Sequence, residues 1–120
     1  MQLLSIYLSY YLSLKMEKFV VFGEYCEEAI IKRAPFREQH LNRLKNLKDR
    51  DILVTLGPTK CTKYLFGIFN AHSENQLRDL IEEDIYWEKG IWINYDIYPW
   101  VQAFLIRFII FFSIYNYLLK

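Results

Sequence analysis

A run of consecutive apolar residues near the start of the chain is the feature that most constrains its fold. Residues 19–22, Phe-Val-Val-Phe, form the centre of a predicted strand at 18–23. A second predicted strand at 52–56 is also apolar without strict alternation. A strand with one solvated face alternates apolar and polar residues, whereas a strand covered on both faces does not. The pattern therefore predicts a sheet whose two faces are both covered.

Two helical patterns separate the predicted strands. The first helix is predicted over 35–49, with Pro35 in its first turn, and a shorter helical turn is expected at 27–32. The second helix follows Ser73, which forms a capping-box pattern with Gln76. Their predicted inward stripes are Leu41, Leu44 and Leu47 in the first helix, and Leu77, Leu80 and Ile81 in the second.

The remaining strands complete a β-α-β-β-α-β order. Gly57 and Pro58 are expected to end the second strand, and the third strand is predicted over 64–69. The last strand, 91–98, alternates, and its two predicted faces are Ile91, Ile93, Tyr95 and Ile97 on one side and Trp92, Asn94, Asp96 and Tyr98 on the other. The order predicts an α+β fold of the ferredoxin-like plan with an antiparallel sheet. Since two helices cover only one sheet face, we expect a second copy of the chain to cover the other, as a homodimer; the C-terminal tail is the alternative cover.

Charge and cysteine content restrict the class of partner. All 14 acidic residues lie between Glu17 and Asp96, a span with 12 basic residues and a net charge of −2. Nucleic-acid binding needs clustered positive charge, so no nucleic-acid partner is expected. Cys26 and Cys61 show neither disulfide-framework nor zinc spacing, which predicts reduced thiols in a cytoplasmic protein.

The two ends of the chain differ from its middle. We expect the domain to span 16–104. Residues 1–15 are expected to lie outside it, as a gene-model extension or a loosely attached leader, because they lack the charge order of a secretory signal. The tail, 105–120, has an apolar stretch of 12 residues from Phe108 to Leu119, short of the roughly 20 that span a bilayer. A membrane partner is therefore not expected.

The stretch from Tyr25 to Pro58, YCEEAIIKRAPFREQHLNRLKNLKDRDILVTLGP, carries a resemblance to a known family. An arginine-rich entry to a helix, a histidine followed by Leu-x-x-Leu, and a Gly-Pro after the next strand resemble the YCII-related family. The later segment EEDIYWEKGIWINYDIYPWVQAF is similar to that family's Asp-Pro-Tyr, glycine and closing strand. The resemblance covers residues 16–104 and neither end.

The resemblance implies a dimeric α+β barrel, in which two ferredoxin-like units pack sheet to sheet. It places the family's catalytic histidine and aspartate at His40 and Asp84. Its members include a dehydrochlorinase that acts on chlorinated hydroxyhydroquinones. The chain departs from the family at Asp84-Ile85-Tyr86, where Ile85 replaces the usual proline and constrains the Asp84 backbone less.

The residue types of the pair that the resemblance implies suit proton transfer. Imidazole exchanges protons near neutral pH, and a carboxylate on its other nitrogen would orient the ring. Arg33, Arg37 and His40 share a face if helical geometry extends back to residue 33. The arginines would attract an anionic substrate. We predict a substrate-binding set of Arg33, Arg37, Gly57, Pro58 and Tyr86, with no metal site and no cofactor.

Structural roles remain open for each of these residues. His40 could be a hydrogen-bonded helix residue, Asp84 a cap and the arginines a solvated face. The predicted function is a small-molecule enzyme that uses the His-Asp pair for elimination or isomerisation of a small anionic or phenolic substrate. A lyase of the dehydrochlorinase kind or an isomerase fits this chemistry. The alternatives are a non-catalytic ligand-binding or interaction module and, third, a membrane-associated variant.

Overall fold

The computed structural model describes residues 2–14, 16–103 and 114–119. Its elements are helix α1 (Gln2–Leu14), strand β1 (Glu17–Tyr25), helix α2 (Ala29–Arg33), a 3-10 turn (Ala34–Phe36), helix α3 (Arg37–Asp49), strands β2 (Leu53–Pro58) and β3 (Tyr64–Ala71), helices α4 (Glu74–Glu82) and α5 (Ile85–Glu88), and strand β4 (Trp92–Trp100). Residues 114–118 are also helical. The predicted α+β class is confirmed. No helix within the described ranges is both long and apolar enough to cross a membrane.

The four strands form one antiparallel sheet in the order β2-β3-β1-β4. β1 is central, and its Val21 lies between Gly67 of β3 and Ile97 of β4. This is the strand order of the ferredoxin-like plan, with the first and third strands inside and the second and fourth at the edges. The sheet therefore confirms the predicted topology.

One face of the sheet carries the core. Val21 and Leu77 are fully buried, and helices α3 to α5 supply the apolar side chains that oppose the strands. The core includes Phe19, Val21, Leu47, Leu65, Phe69, Leu77, Ile81, Tyr86, Trp92 and Ile97. Ser73 accepts a hydrogen bond from the Gln76 amide at 3.1 Å, as the capping pattern predicts, and begins α4.

The buried stripe of α3 differs from the prediction at one position. Leu47 is buried and Leu44 is partly buried, but Leu41 is 44% exposed and His40 is 5% exposed. Positions 40, 44 and 47 follow the helical spacing of four and three residues, so the face is centred on this row and Leu41 lies at its margin. The inward face of α3 therefore presents a histidine.

A β-bulge corrects the predicted faces of the last strand. Glu24 pairs with Asn94, but the next pair is Tyr25 with Trp92, so Ile93 is the extra residue. A bulge shifts the alternation by one residue. Trp92 is consequently 3% exposed on the core side, whereas Ile93, which was predicted to share the face of Ile97, is 51% exposed.

The second strand also extends further than predicted. Gly57 and Pro58 do not end it but belong to β2, where they pair with Phe66 and Leu65. β2 is an edge strand, and proline is tolerated there because the amide on the outer edge has no strand to bond to. β2 therefore continues through Gly57, and Pro58 is its last residue.

We expect Gly23→Ala to destabilise the domain by about 1–3 kcal/mol, because an overpacked site must shift its surroundings. A Cβ at Gly23 would lie 2.6 Å from the Asn94 carbonyl oxygen, which belongs to the bulge. Gly57→Ala is the matched control, since its Cβ would meet nothing within 4 Å. Urea denaturation of both variants measures the difference in the free energy of unfolding. Equal stabilities would show that the bulge accommodates a Cβ at position 23 without cost.

Candidate active site

The first turn of α3 places His40 in the core. The His40 ring stacks on the Tyr86 ring with a centroid separation of 3.7 Å and an interplanar angle of 10°. Trp92 meets the same ring edge-on at 5.2 Å. The two aromatic neighbours come from α5 and β4, so three separate elements fix the orientation of the imidazole.

Asp84 lies between the two C-terminal helices rather than at the end of one. α4 ends at Glu82, and a separate short helix, α5, begins after Asp84. Asp84 caps α5: its backbone is extended (φ −72°, ψ 139°) and its Oδ1 accepts the Tyr86 amide at 2.9 Å. A capping residue needs this non-helical conformation, and proline at position 85 is not required to produce it.

His40 and Asp84 form a buried pair. His40 Nδ1 lies 2.8 Å from Asp84 Oδ1, and the Asp84 side chain is fully buried. Arg43 Nη1 donates to Asp84 Oδ2 at 3.0 Å, while its Nη2 donates to the Leu80 carbonyl at 2.6 Å. Arg43 and the Tyr86 amide both donate to Asp84, and a carboxylate can only accept, so the hydrogen of the pair is assigned to His40 Nδ1.

The other ring nitrogen of His40 is free. Within the described part of the chain, Nε2 forms no hydrogen bond, and it is not sealed from solvent as a buried orphan atom would be. An imidazole whose Nδ1–H is held by a carboxylate presents Nε2 as a base and stabilises the protonated ring that results. The geometry is compatible with proton exchange at Nε2.

Arg33 and Arg37 contribute positive charge near the Tyr86 phenol. Neither forms an ion pair within residues 2–14, 16–103 and 114–119. Burial raises the pKa of Tyr86, and the charges of Arg33 and Arg37 oppose this rise. Arg33 is partly exposed and Arg37 is exposed, so both are accessible to an anionic molecule.

The predicted substrate-binding residues do not all lie together. Tyr86 forms the stacked neighbour of His40. Gly57 and Pro58 are at the β2 edge of the sheet, whereas Trp92, which borders His40, is on β4 at the opposite edge. No hydrogen bond or ring contact of the described residues links Gly57 or Pro58 to the pair. Their role in binding stays a prediction.

Three residues of the site were not predicted. Arg43 follows His40 by three positions on the same helix face, so the sequence spacing could have predicted that it lies beside His40. Trp92 points inward because of the bulge. The alternating pattern at 91–98 gives no sign of this bulge and predicts the opposite face for Trp92. Tyr25 is the direct cross-strand partner of Trp92. Burial raises the pKa of Tyr25. The nearby indole N–H of Trp92 and the charge of Arg33 partly oppose this rise.

A cavity of about 560 Å³ opens beside this arrangement. It is lined by Tyr25, the start of α2, the turn between β2 and β3, and Ile93, with apolar and acidic side chains among them. His40 and Asp84 do not line it; Tyr25 joins the cavity to the pair. No cluster of three metal-ligating side chains occurs among the residues that the structure describes.

We expect Asp84→Ala to destabilise the protein by about 3–5 kcal/mol, the usual cost of removing one member of a buried charged pair. The substitution leaves Arg43 Nη1, His40 Nδ1 and the Tyr86 amide without their acceptor. Glu83→Ala is the matched control: its side chain is 70% exposed and lies 3.9 Å from Arg43, so a change below about 1 kcal/mol is expected. Chemical denaturation compares them, and equal losses would contradict the central role of Asp84.

Comparison with known proteins agrees with the fold. Residues 17–101 match the YCII-related domain family. No curated protein matches the chain. Among solved structures, the fold is similar to 5-chloro-2-hydroxyhydroquinone dehydrochlorinase from Burkholderia phenoliruptrix in complex with 2,5-dihydroxybenzoquinone, at 20% identity and a TM-score of 0.63, covering 72% of this chain and 95% of that one. Since the family match spans most of its length, the chain belongs to the YCII-related domain family.

Proposed function

We propose that this protein is a small-molecule enzyme in which His40 transfers a proton and Asp84 orients and stabilises its ring. The observation that carries the proposal is the asymmetric environment of the imidazole: Nδ1 is 2.8 Å from a fully buried carboxylate oxygen and Nε2 is free. A histidine that served packing alone would have no need of a buried charge, which is costly to desolvate. Strongly paired titratable groups of this kind cluster at functional sites.

The proposed reaction is an elimination or an isomerisation. His40 Nε2 takes a proton from the substrate, and the electron pair of that bond forms a new double bond. In an elimination a leaving group departs with its own bonding pair; in an isomerisation the imidazolium returns the proton to another atom. The Asp84 carboxylate stabilises the imidazolium in both cases, because the opposite charge lies at hydrogen-bond distance.

The proposed substrate is a small anionic or phenolic molecule. Arg33 and Arg37 are unpaired cations of the described chain near the Tyr86 phenol and suit a carboxylate or phenolate. The similar fold of a dehydrochlorinase that binds a dihydroxybenzoquinone supports the phenolic class. Gly57, Pro58 and Tyr86 complete the proposed binding set. The expected cytoplasmic location remains part of the proposal, and both cysteines are free thiols.

We expect His40→Asn to reduce turnover by about 10²–10⁴-fold while ligand affinity changes little, since general acid–base catalysis contributes a factor of this size. The first substrate to assay is 5-chloro-2-hydroxyhydroquinone, with the release of chloride as the measured signal. A panel of hydroxylated aromatics and small carboxylic acids is assayed next. His72→Asn is the matched control, because His72 is exposed and only its backbone amide is hydrogen-bonded, to Gln76.

Two outcomes would contradict the catalytic proposal. One is turnover by His40→Asn at the wild-type rate. The other is saturable binding of panel members with no turnover of any of them, which would indicate the alternative function, a non-catalytic ligand-binding module. The two readouts separate binding from chemistry because affinity and turnover are measured on the same variants.

We also propose that the protein is a homodimer whose sheets pack face to face. On the sheet face opposite the core, Phe22 is 50% exposed, Phe66 40% and Tyr98 54%, and their rings are in edge contact. Val20, which pairs with Ile68 and with Tyr98, is only 7% exposed. A contiguous aromatic patch of this kind is typical of an interaction surface.

We expect Phe66→Glu to convert the dimer to a monomer, because it places a charge in the centre of the proposed apolar interface. Analytical ultracentrifugation of the full chain measures the change in mass. Leu41→Glu is the control: Leu41 is 44% exposed on α3, away from this face. A wild-type protein that is monomeric at 100 μM, on the order of a weak interface's dissociation constant, would contradict the dimer.

A further inference from the structure

The cross-strand pair of Tyr25 and Trp92 contains a polar group that no part of the described structure satisfies. The two residues are directly opposite each other on β1 and β4, 7% and 3% exposed. Trp92 Nε1 is buried and is the orphan polar atom of the described side chains. It faces the Tyr25 hydroxyl closely enough to lower the pKa of that group, but at a geometry outside that of a full hydrogen bond. Buried donors are normally paired, so an unpaired one requires an explanation.

The orphan donor lies at the candidate active site. The Trp92 ring is 5.2 Å from the His40 ring and 5.7 Å from the Tyr86 ring. Tyr25 in turn lines the cavity of about 560 Å³, a volume within the range of small-molecule sites. The bulge at Ile93 is what rotates Trp92 into this position. The fold thus brings the indole N–H of Trp92, which borders His40, next to the hydroxyl-bearing Tyr25, which lines the cavity.

We propose that the Tyr25 hydroxyl, the Trp92 indole N–H and the Arg33 guanidinium form a donor cluster that binds one anionic oxygen of the ligand, a phenolate or carboxylate oxygen, next to His40. The cluster rests on the proposed function, because it takes the ligand to be the molecule on which His40 acts. It deepens that function by assigning the residues that hold the anionic oxygen of the substrate. Three donors around one oxygen are the arrangement that stabilises negative charge in a site shielded from water.

The charges around the cluster support this orientation. Burial raises the pKa of Tyr25, so its hydroxyl stays protonated and can donate at neutral pH. Arg33, on the side of Tyr25 and Tyr86, has no ion-pair partner within the described residues. Glu24, Glu27 and Glu28 line the cavity but are exposed. Lys63 lines the cavity with them and is also exposed, so the positive charge that acts on the Tyr25 hydroxyl is that of Arg33.

The first test measures binding of 4-nitrophenolate to the full chain at alkaline pH. We expect Tyr25→Phe to weaken binding about tenfold or more, the loss expected for a hydrogen bond to a charged group. Nitrobenzene, which lacks the phenolate oxygen, is expected to bind both proteins equally. Tyr95→Phe is the matched control, because its hydroxyl donates to Glu82 at 2.9 Å and lies outside the cluster. Its affinity for 4-nitrophenolate should equal that of the wild type.

The second test needs no altered protein for its readout. In protein labelled with ¹⁵N-tryptophan, the indole proton of Trp92 is expected to shift downfield when 4-nitrophenolate is added and not when nitrobenzene is added. Trp87 and Trp100 provide internal controls, and Trp92→Phe assigns the resonance. A shift confined to Trp92 identifies the indole N–H as a donor to the ligand oxygen.

The outcomes separate the cluster from the proposed function. Phenolate binding that Tyr25→Phe leaves unchanged, with an unshifted Trp92 proton, overturns the cluster, while the dependence of turnover on His40 stands. Binding with both expected effects, in a protein whose turnover ignores His40, supports the cluster and overturns the catalytic proposal. Absence of 4-nitrophenolate binding to the wild type at millimolar concentration also overturns the cluster.

Discussion

The buried carboxylate of Asp84 joins the elements that form the site. It accepts from His40 and Arg43 on α3 and from the Tyr86 amide at the start of α5, and Arg43 also donates to the Leu80 carbonyl near the end of α4. The fully buried side chain of Asp84 therefore ties α3 to α5, and Arg43 extends the connection to α4. Satisfying a buried charge with this many donors offsets its desolvation, whereas any one donor alone would not.

A buried charge of this kind is poorly explained by stability alone. An apolar side chain of similar volume at position 84 would fill the core without desolvating an ion, and such replacements are often neutral or stabilising. What the carboxylate provides, and an apolar residue cannot, is a fixed partner for His40 Nδ1 and a cap for α5. The same interaction that sets the chain path after α4 thus also sets the tautomer of the histidine. Structure and proposed chemistry depend on one group.

The sequence was sufficient for the fold and for the central pair but not for the rest of the site. Apolar runs and two helical patterns determine the β-α-β-β-α-β order, because burial periodicity is local information. The resemblance supplied His40 and Asp84. Arg43 could also have been predicted from the sequence, since it shares the helix face of His40. The exposure of Leu41 followed from the rotation of α3, which its leucine spacing alone does not fix.

Trp92 illustrates what local patterns cannot show. Strict alternation over 91–98 assigns Trp92 to the face away from Ile97, and the inference fails because one extra residue is inserted opposite Glu24 and Tyr25. The position of a bulge depends on the partner strand: Gly23, beside it on β1, lacks the Cβ that would lie 2.6 Å from the Asn94 carbonyl. A glycine on one strand thereby permits the bulge that turns a tryptophan on the next strand towards His40. This coupling is a tertiary property, and it explains why the donor cluster could be found only from the folded arrangement.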